Sequence, residues 1–128
     1  MTLLNTSTPR VLSIAGTDPT GGAGIQADLK SIAASGGYGM CAVLVAQNTQ
    51  GVRSIFAPPT EFLQEQLAVV FDDVTVDAVK IGMLGDVETI TTVKTWLAEH
   101  PVPVVVLDPV MVASSGDRLI SQDAEQAL

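Results

Sequence analysis

The chain has 128 residues, 47% of them hydrophobic, which is enough for one domain with a buried core. Its formal charge is −8, and its six basic residues (Arg10, Lys30, Arg53, Lys80, Lys94, Arg118) stand singly, whereas nucleic acids and anionic membranes recruit clustered cations. The single cysteine, Cys41, can form no internal disulfide, residues 2–10 carry no apolar signal core, and no apolar run approaches the roughly 20 residues of a membrane span, so the expectation is a cytoplasmic protein in a reducing compartment.

Apolar runs alternate with helical patterns along the chain. Val11 to Ala15 reads as a strand, followed by the glycine-rich stretch Gly16-Thr-Asp-Pro-Thr-Gly-Gly-Ala-Gly24. A helix is expected over Ala23 to Ala34, with Ile25, Leu29, Ile32 and Ala33 on one stripe and Gly36-Gly37 as its stop. Met40 to Ala46 is a continuous apolar run, the pattern of a strand covered on both faces. Val52 to Ala57 suggests a short extra strand or flap. Pro58-Pro59-Thr60 opens the next helix, with Thr60 as N-cap and Leu63, Leu67, Val70 and Phe71 inward. Ala78 to Ile81 is a third strand. Asp86 caps a helix with the stripe Val87, Ile90, Val93 and Leu97; Val104 to Leu107 reads as an interior fourth strand, and Ser121 starts a last helix. Strands alternating with helices predict an α/β fold around a mostly parallel sheet with right-handed crossovers. Nothing after Val104–Leu107 reads as a strand that could pair beside it, so the expectation is the N-terminal part, residues 1–128, of a larger single α/β domain.

Each strand runs into a polar or glycine-containing cluster: Gly16-Thr-Asp18, Gln47-Asn-Thr49, Gly82-Met83 and Asp108-Pro-Val110. In an open parallel sheet such strand ends line one crevice, where ligands bind. A strand, a glycine-rich turn and a helix N-terminus in succession also place free backbone N–H groups around one small space. The glycine stretch departs from nucleotide loops. Gly16 and Gly21 have P-loop separation, but Gly22 and Ala23 stand where Lys and Ser/Thr belong; Gly22 and Gly24 supply two Rossmann glycines, and Ala27 replaces the third. A small substrate close to the backbone suits it better.

Asp28 lies one helical turn after Ile25 and one before Ile32, at the border of the buried stripe. It is either a boundary carboxylate satisfied by a neighbouring N–H or Lys, or an acceptor aimed at a ligand's amine or ring nitrogen. Gln47 is either a turn amide or a donor and acceptor for a heterocycle edge. Asp108 either caps the following loop or touches a metal or a phosphate-bound water. Met83 and Val110 offer apolar walls for a flat ring, or simple packing. Cys41 reads as core and His100 as surface, which leaves neither a metal cage nor a nucleophile triad.

Four segments carry a resemblance: Ala15-Gly-Thr-Asp-Pro-Thr-Gly-Gly-Ala-Gly-Ile-Gln-Ala-Asp-Leu-Lys30, Val45-Ala-Gln-Asn-Thr-Gln-Gly-Val52, Lys80-Ile-Gly-Met-Leu-Gly85 and Leu107-Asp-Pro-Val-Met-Val112. In this order they closely resemble the hydroxymethylpyrimidine/phosphomethylpyrimidine kinases of thiamine biosynthesis, of the ribokinase-like superfamily. The resemblance implies a three-layer ribokinase-like fold and ATP- and Mg²⁺-dependent phosphorylation of 4-amino-5-hydroxymethyl-2-methylpyrimidine and then of its monophosphate. It implies that Gly16, Asp28, Gln47, Met83 and Val110 contact the pyrimidine, Asp28 accepting from its exocyclic amine and Gln47 bonding its ring edge. It also places Asp108 near the phosphates and Mg²⁺, through water or phosphate.

Two departures qualify it. Family members are about twice as long, and their later half supplies most of the ATP site and a Gly-Thr-Gly-Cys-like loop that stabilises the transferring phosphoryl group; these 128 residues hold no such loop and hence no catalytic residue. The segment Cys41 to Gln47 is about two residues shorter than the family pattern, an even change that keeps strand faces in phase. The expectation is a substrate half-site without turnover of its own, completed by a homodimer-forming longer chain or by a complementary C-terminal fragment. The alternatives are a pyridoxine/pyridoxal kinase and a non-catalytic pyrimidine-binding module.

Overall fold

A computed structural model describes residues 8–46, 57–109 and 122–127. In chain order the elements are β1 (Arg10–Thr17), α1 (Gly24–Ala34), β2 (Tyr38–Ala46), α2 (Thr60–Asp73), β3 (Ala78–Ile81), α3 (Val87–Glu99), β4 (Val104–Leu107) and α4 (Gln122–Ala127). The four strands form one sheet in the order β2-β1-β3-β4, and every neighbouring pair is parallel. The alternating α/β reading therefore holds. The expected strand or flap, Val52 to Ala57, lies outside the described residues except for Ala57, and Ser121, expected to start the last helix, lies outside them too.

Register sorts the side chains. Ser13 lies beside Cys41 on β2 and Lys80 on β3, while Ile14 lies beside Ala42 and Ile81. Successive strand residues point to opposite faces, so Leu12, Ile14, Ala42, Val79 and Ile81 share one face and Ser13, Ala15, Cys41 and Lys80 the other. The first set joins one apolar cluster with Leu63 and Leu67 of α2 and Ile90 and Val93 of α3. The second set faces α1. Gln66 of α2 receives the backbone N–H of Val43 at 2.9 Å, which covers part of the β2 edge.

Several expectations need correction. Thr60 is the first helical residue of α2, not its cap; Pro59 holds the cap position, where a ring-locked backbone fixes the entry. On α1, Ala33 is exposed, and on α3, Val87 is exposed while Thr89 is buried. In both cases the flanking apolar residue lies just past the edge of the buried stripe. Asp86 does cap α3, accepting from the Thr89 N–H at 2.8 Å.

His100 is not a free surface residue. Its ring stacks on Trp96 with centroids 3.9 Å apart, meets Phe71 edge-on, and its Nδ1 lies 3.0 Å from the Trp96 carbonyl oxygen. Helical spacing between Trp96 and His100 brings the rings together at the C-terminal end of α3. Cys41 is half-buried, and burial pushes its thiol pKa up, away from reactivity. β4 forms one edge of the described sheet with all four residues exposed, although its apolar sequence reads as an interior strand.

Candidate functional site

The loop between β1 and α1 is organised by Asp18, whose side chain is fully buried. Its carboxylate accepts from the Thr20 hydroxyl at 2.7 Å, the Thr20 N–H at 2.9 Å and the Gly22 N–H at 3.0 Å. The Thr20 hydroxyl above all, then the backbone N–H groups of Thr20, Gly22 and Ala23, hold this carboxyl below the usual carboxylate range against the opposing effect of burial. The chain reverses through a bond from the Gly21 N–H to the Asp18 carbonyl, and Gln26 reaches back from α1 to the Asp18 N–H at 2.8 Å and to the Thr17 hydroxyl. Sequence reasoning had no role for Asp18. The available signal was the run Asp-Pro-Thr-Gly, in which an Asp side chain bonds the backbone two residues on.

Gly24 begins α1 at φ +61°, and a Cβ there would collide with the Gly16 carbonyl oxygen. Its lack of a side chain lets the helix start close against the end of β1. Ala23 occupies the cap position and no side chain caps this N-terminus, so the first turn opens toward the neighbouring space with backbone groups unclaimed by a cap.

Asp28, one turn into α1, turns toward the sheet. It accepts from the Ser13 hydroxyl at 2.7 Å and from Lys80 Nζ at 3.0 and 3.2 Å. The pair is mostly buried, with the Asp28 side chain 19% exposed and that of Lys80 27%. A neighbouring lysine does satisfy the carboxylate, the first of the two roles its place in the sequence allows. The same carboxylate also lines a cleft of about 250 Å³ with Ala15, Gly16, Ala23, Gly24, Ala27, Lys80, Gly82, Met83 and Asp108.

That cleft lies where the carboxyl ends of β1, β3 and β4 meet the start of α1. Backbone bonds hold the strand ends together, from the Gly82 N–H to Ile14 and from the Asp108 N–H to Ile81, each at 2.9 Å. Of the residues singled out from sequence, Gly16, Asp28, Met83 and Asp108 border this one space; Gln47 and Val110 lie outside the described residues. Met83 is also buried in the apolar cluster, so one side chain packs the core and walls the cleft. Ser13 and Lys80 were missed as site residues. Each is a polar side chain inside an apolar strand run, which marks a polar partner across the helix-sheet interface.

The sequence matches a family model described as phosphomethylpyrimidine kinase over residues 18–128. It is 68% identical over 124 residues to the thiamine biosynthesis multifunctional protein ThiED of Corynebacterium glutamicum, covering 95% of this chain and 16% of that protein. It is 51% identical over 119 residues to the hydroxymethylpyrimidine/phosphomethylpyrimidine kinase of Salmonella typhimurium, covering 91% of this chain and 45% of that kinase. The chain thus spans under half the length of these curated relatives. Among solved structures, the phosphomethylpyrimidine kinase of Clostridium difficile superposes with a TM-score of 0.86 at 40% identity, over 94% of this chain and 53% of that one. A pyridoxal kinase of Staphylococcus aureus, in complex with AMP-PCP and pyridoxal, gives 0.72 at 32% identity, over 82% and 40%. The α/β architecture is ribokinase-like. With its helix-borne acid and most of its glycine loop and strand-end cleft inside the matched region, the chain belongs to the phosphomethylpyrimidine kinase family.

Proposed function

We propose that this chain supplies the substrate-binding half of a kinase domain that phosphorylates 4-amino-5-hydroxymethyl-2-methylpyrimidine and its monophosphate. The observation that carries the reading is the mostly buried Asp28 carboxylate in the wall of a small cleft at the strand ends. A flat heterocycle of about ten heavy atoms suits such a volume. Asp28 accepts from the exocyclic amine, Gly16 lets the ring approach the backbone, and Met83 covers one ring face. Gln47 and Val110 complete the ring contacts in the family pattern. Residues 1–128 form the N-terminal part of one domain, in keeping with a match to 53% of the Clostridium difficile kinase. The longer chain is a cytoplasmic homodimer, or this chain is completed by a separate C-terminal fragment.

ATP is the phosphoryl donor, a role supported by the AMP-PCP complexes among the similar pyridoxal kinases. The glycine loop lacks the lysine of a phosphate loop and does not itself hold the nucleotide. Asp108 is an exposed carboxylate at the cleft rim, and among the described residues no cluster of three metal-binding side chains exists. A lone carboxylate fits Mg²⁺ that arrives with the phosphates and keeps its waters; Asp108 would hold it through water, and the ion would offset charge on the transferring group. Within these residues the chemistry is positioning: the cleft fixes the alcohol-bearing ring, which is the larger part of what phosphoryl transfer asks of a substrate half-site.

Pyridoxal kinases at 31–40% identity keep a second reading in view, since their substrate is also a ring alcohol of similar size. One assay separates the two. The longest natural form of the chain is given ATP, Mg²⁺ and either alcohol, and product is measured. Faster turnover of the aminopyrimidine supports the proposal; faster turnover of pyridoxal replaces it. Binding without turnover of either, in that longest form, would make the protein a binding module. Turnover by the 128 residues alone would overturn the half-site assignment.

A further inference from the structure

We propose that Lys80 is a positioning residue for Asp28, and that their pairing sets the cleft to take an uncharged amino heterocycle rather than a cationic one. The inference rests on the pyrimidine reading above only for the identity of the ligand. Three elements converge on the carboxylate: Ser13 from β1, Lys80 from β3 and Asp28 itself from α1. Ser13 and Lys80 are direct neighbours across the β1–β3 register, so their spacing is fixed by the sheet.

The hydrogen bonds divide unevenly. One carboxylate oxygen, Oδ2, takes both the Ser13 hydroxyl and the shorter Lys80 contact, while Oδ1 takes only the longer one, at 3.2 Å. A carboxylate oxygen has room for two donors, so Oδ1 keeps the open acceptor position. Two donors from rigid strands leave the carboxylate plane little freedom, and a ligand amine then meets an acceptor already oriented. Lys80 itself lines the cleft, and its charge cancels that of Asp28 at contact distance. A protonated or quaternary ring entering this space would find no uncompensated negative charge and would meet the ammonium at short range. The space around Lys80 is tight: a Cβ on Gly82 would come within 3.2 Å of its Nζ.

The test uses the longest natural form of the chain, its Lys80→Met and Lys80→Arg variants, and two probes of like shape. One is the neutral 4-amino-5-hydroxymethyl-2-methylpyrimidine and the other its permanently cationic N-methylated salt. Wild type and Lys80→Arg should favour the neutral ring, whereas Lys80→Met should move the ratio of dissociation constants toward the cation by about tenfold or more, the scale of one partly screened charge at contact. An unchanged ratio in a folded Lys80→Met protein would overturn the proposal. A ligand-free measurement stands apart from the choice of substrate. The Lys80 ammonium should give a slowly exchanging ¹⁵N signal coupled across a hydrogen bond to the Asp28 carboxyl carbon, lost in Asp28→Asn. If wild type binds neither probe yet shows that signal, the pyrimidine reading fails and the positioning role stands; if the signal is missing, the positioning role fails whatever binds.

Discussion

The two faces of the sheet are built from the same strands yet follow different rules. Toward α2 and α3, Leu12, Ile14, Val79 and Ile81 meet Leu63, Leu67, Ile90 and Val93 in a continuous apolar layer. Toward α1, the intervening residues Ser13 and Lys80 meet Asp28 in a polar bridge, and Ala15 and Gly82 leave the space above the strand ends open. One face holds the fold through area removed from water, which is non-directional and tolerant of small shifts. The other adds to the apolar residues of α1, such as the buried Ile25, a few directional contacts, whose value lies in where they point an acceptor. A domain can carry such a polar interface because the apolar face supplies the stability.

The sharpest way to break this comparison is to cut each face in turn. Leu67→Ala removes a fully buried side chain from α2 and should cost about 3 kcal/mol, read as a lower denaturation midpoint with unchanged slope. Ser13→Ala on the opposite face should cost about 1 kcal/mol, because Lys80 still pairs with Asp28. Equal costs would mean that the two faces do not divide the labour in this way.

A third substitution tests the joint between the faces. Gly24→Ala forces a Cβ against the Gly16 carbonyl at a positive φ, and should destabilise by about 2 kcal/mol while displacing the α1 N-terminus from the cleft. Chemical-shift changes confined to residues 16–28 would locate the effect. A neutral outcome would mean that the helix start is free to move.

The division between the faces also explains how much of the molecule could be read in advance. The apolar face was legible because its signals are local: the run Ala78–Ile81 and the cap at Asp86 follow from neighbours a few residues apart, whereas Val104–Leu107 was legible as a strand but not in its exposure at the edge of the described sheet. Stripe edges were misread at Ala33 and Val87, where period alone does not say how wide the covering surface is. The polar face was only half legible. Asp28 stood out through its place beside the buried stripe, but its partners are 15 and 52 residues away, and the sheet order β2-β1-β3-β4 that joins them is not written in any local pattern. His100 was only partly legible: its stacking on Trp96 follows from i, i+4 spacing, but its edge-on contact with Phe71 comes from α2.

Asp28→Asn sharpens the comparison on the polar side. The amide keeps the shape and one acceptor, and Lys80, itself 27% exposed, can turn toward water, so stability should change by less than about 1 kcal/mol. Binding of the aminopyrimidine, measured by calorimetry, should weaken about tenfold to a hundredfold, the scale of a hydrogen bond to a charged acceptor. Loss of folding instead would make the carboxylate part of the structural support, and the faces would no longer differ in kind.

The smallest effect expected concerns acid, and it separates the glycine loop from the strand base. Asp18 is held low chiefly by the Thr20 hydroxyl, and Asp77 chiefly by the Arg10 guanidinium, which it meets at 3.0 Å. A carboxyl whose folded pKa is depressed contributes stability above its unfolded value, and that contribution drains as the pH falls through the folded one. Stability should therefore be level from neutral pH down to about pH 4, the unfolded carboxylate value, and decline below it. Asp77→Asn should flatten part of that decline with little change at neutral pH, because this pair is partly open to water. Asp18→Asn should flatten it too, but at a visible neutral-pH cost, since the fully buried carboxylate gathers the Thr20 and Gly22 donors that shape the loop. Equal neutral-pH behaviour of the two variants would show that the loop is held by its glycines and its Gln26 contacts rather than by its acid.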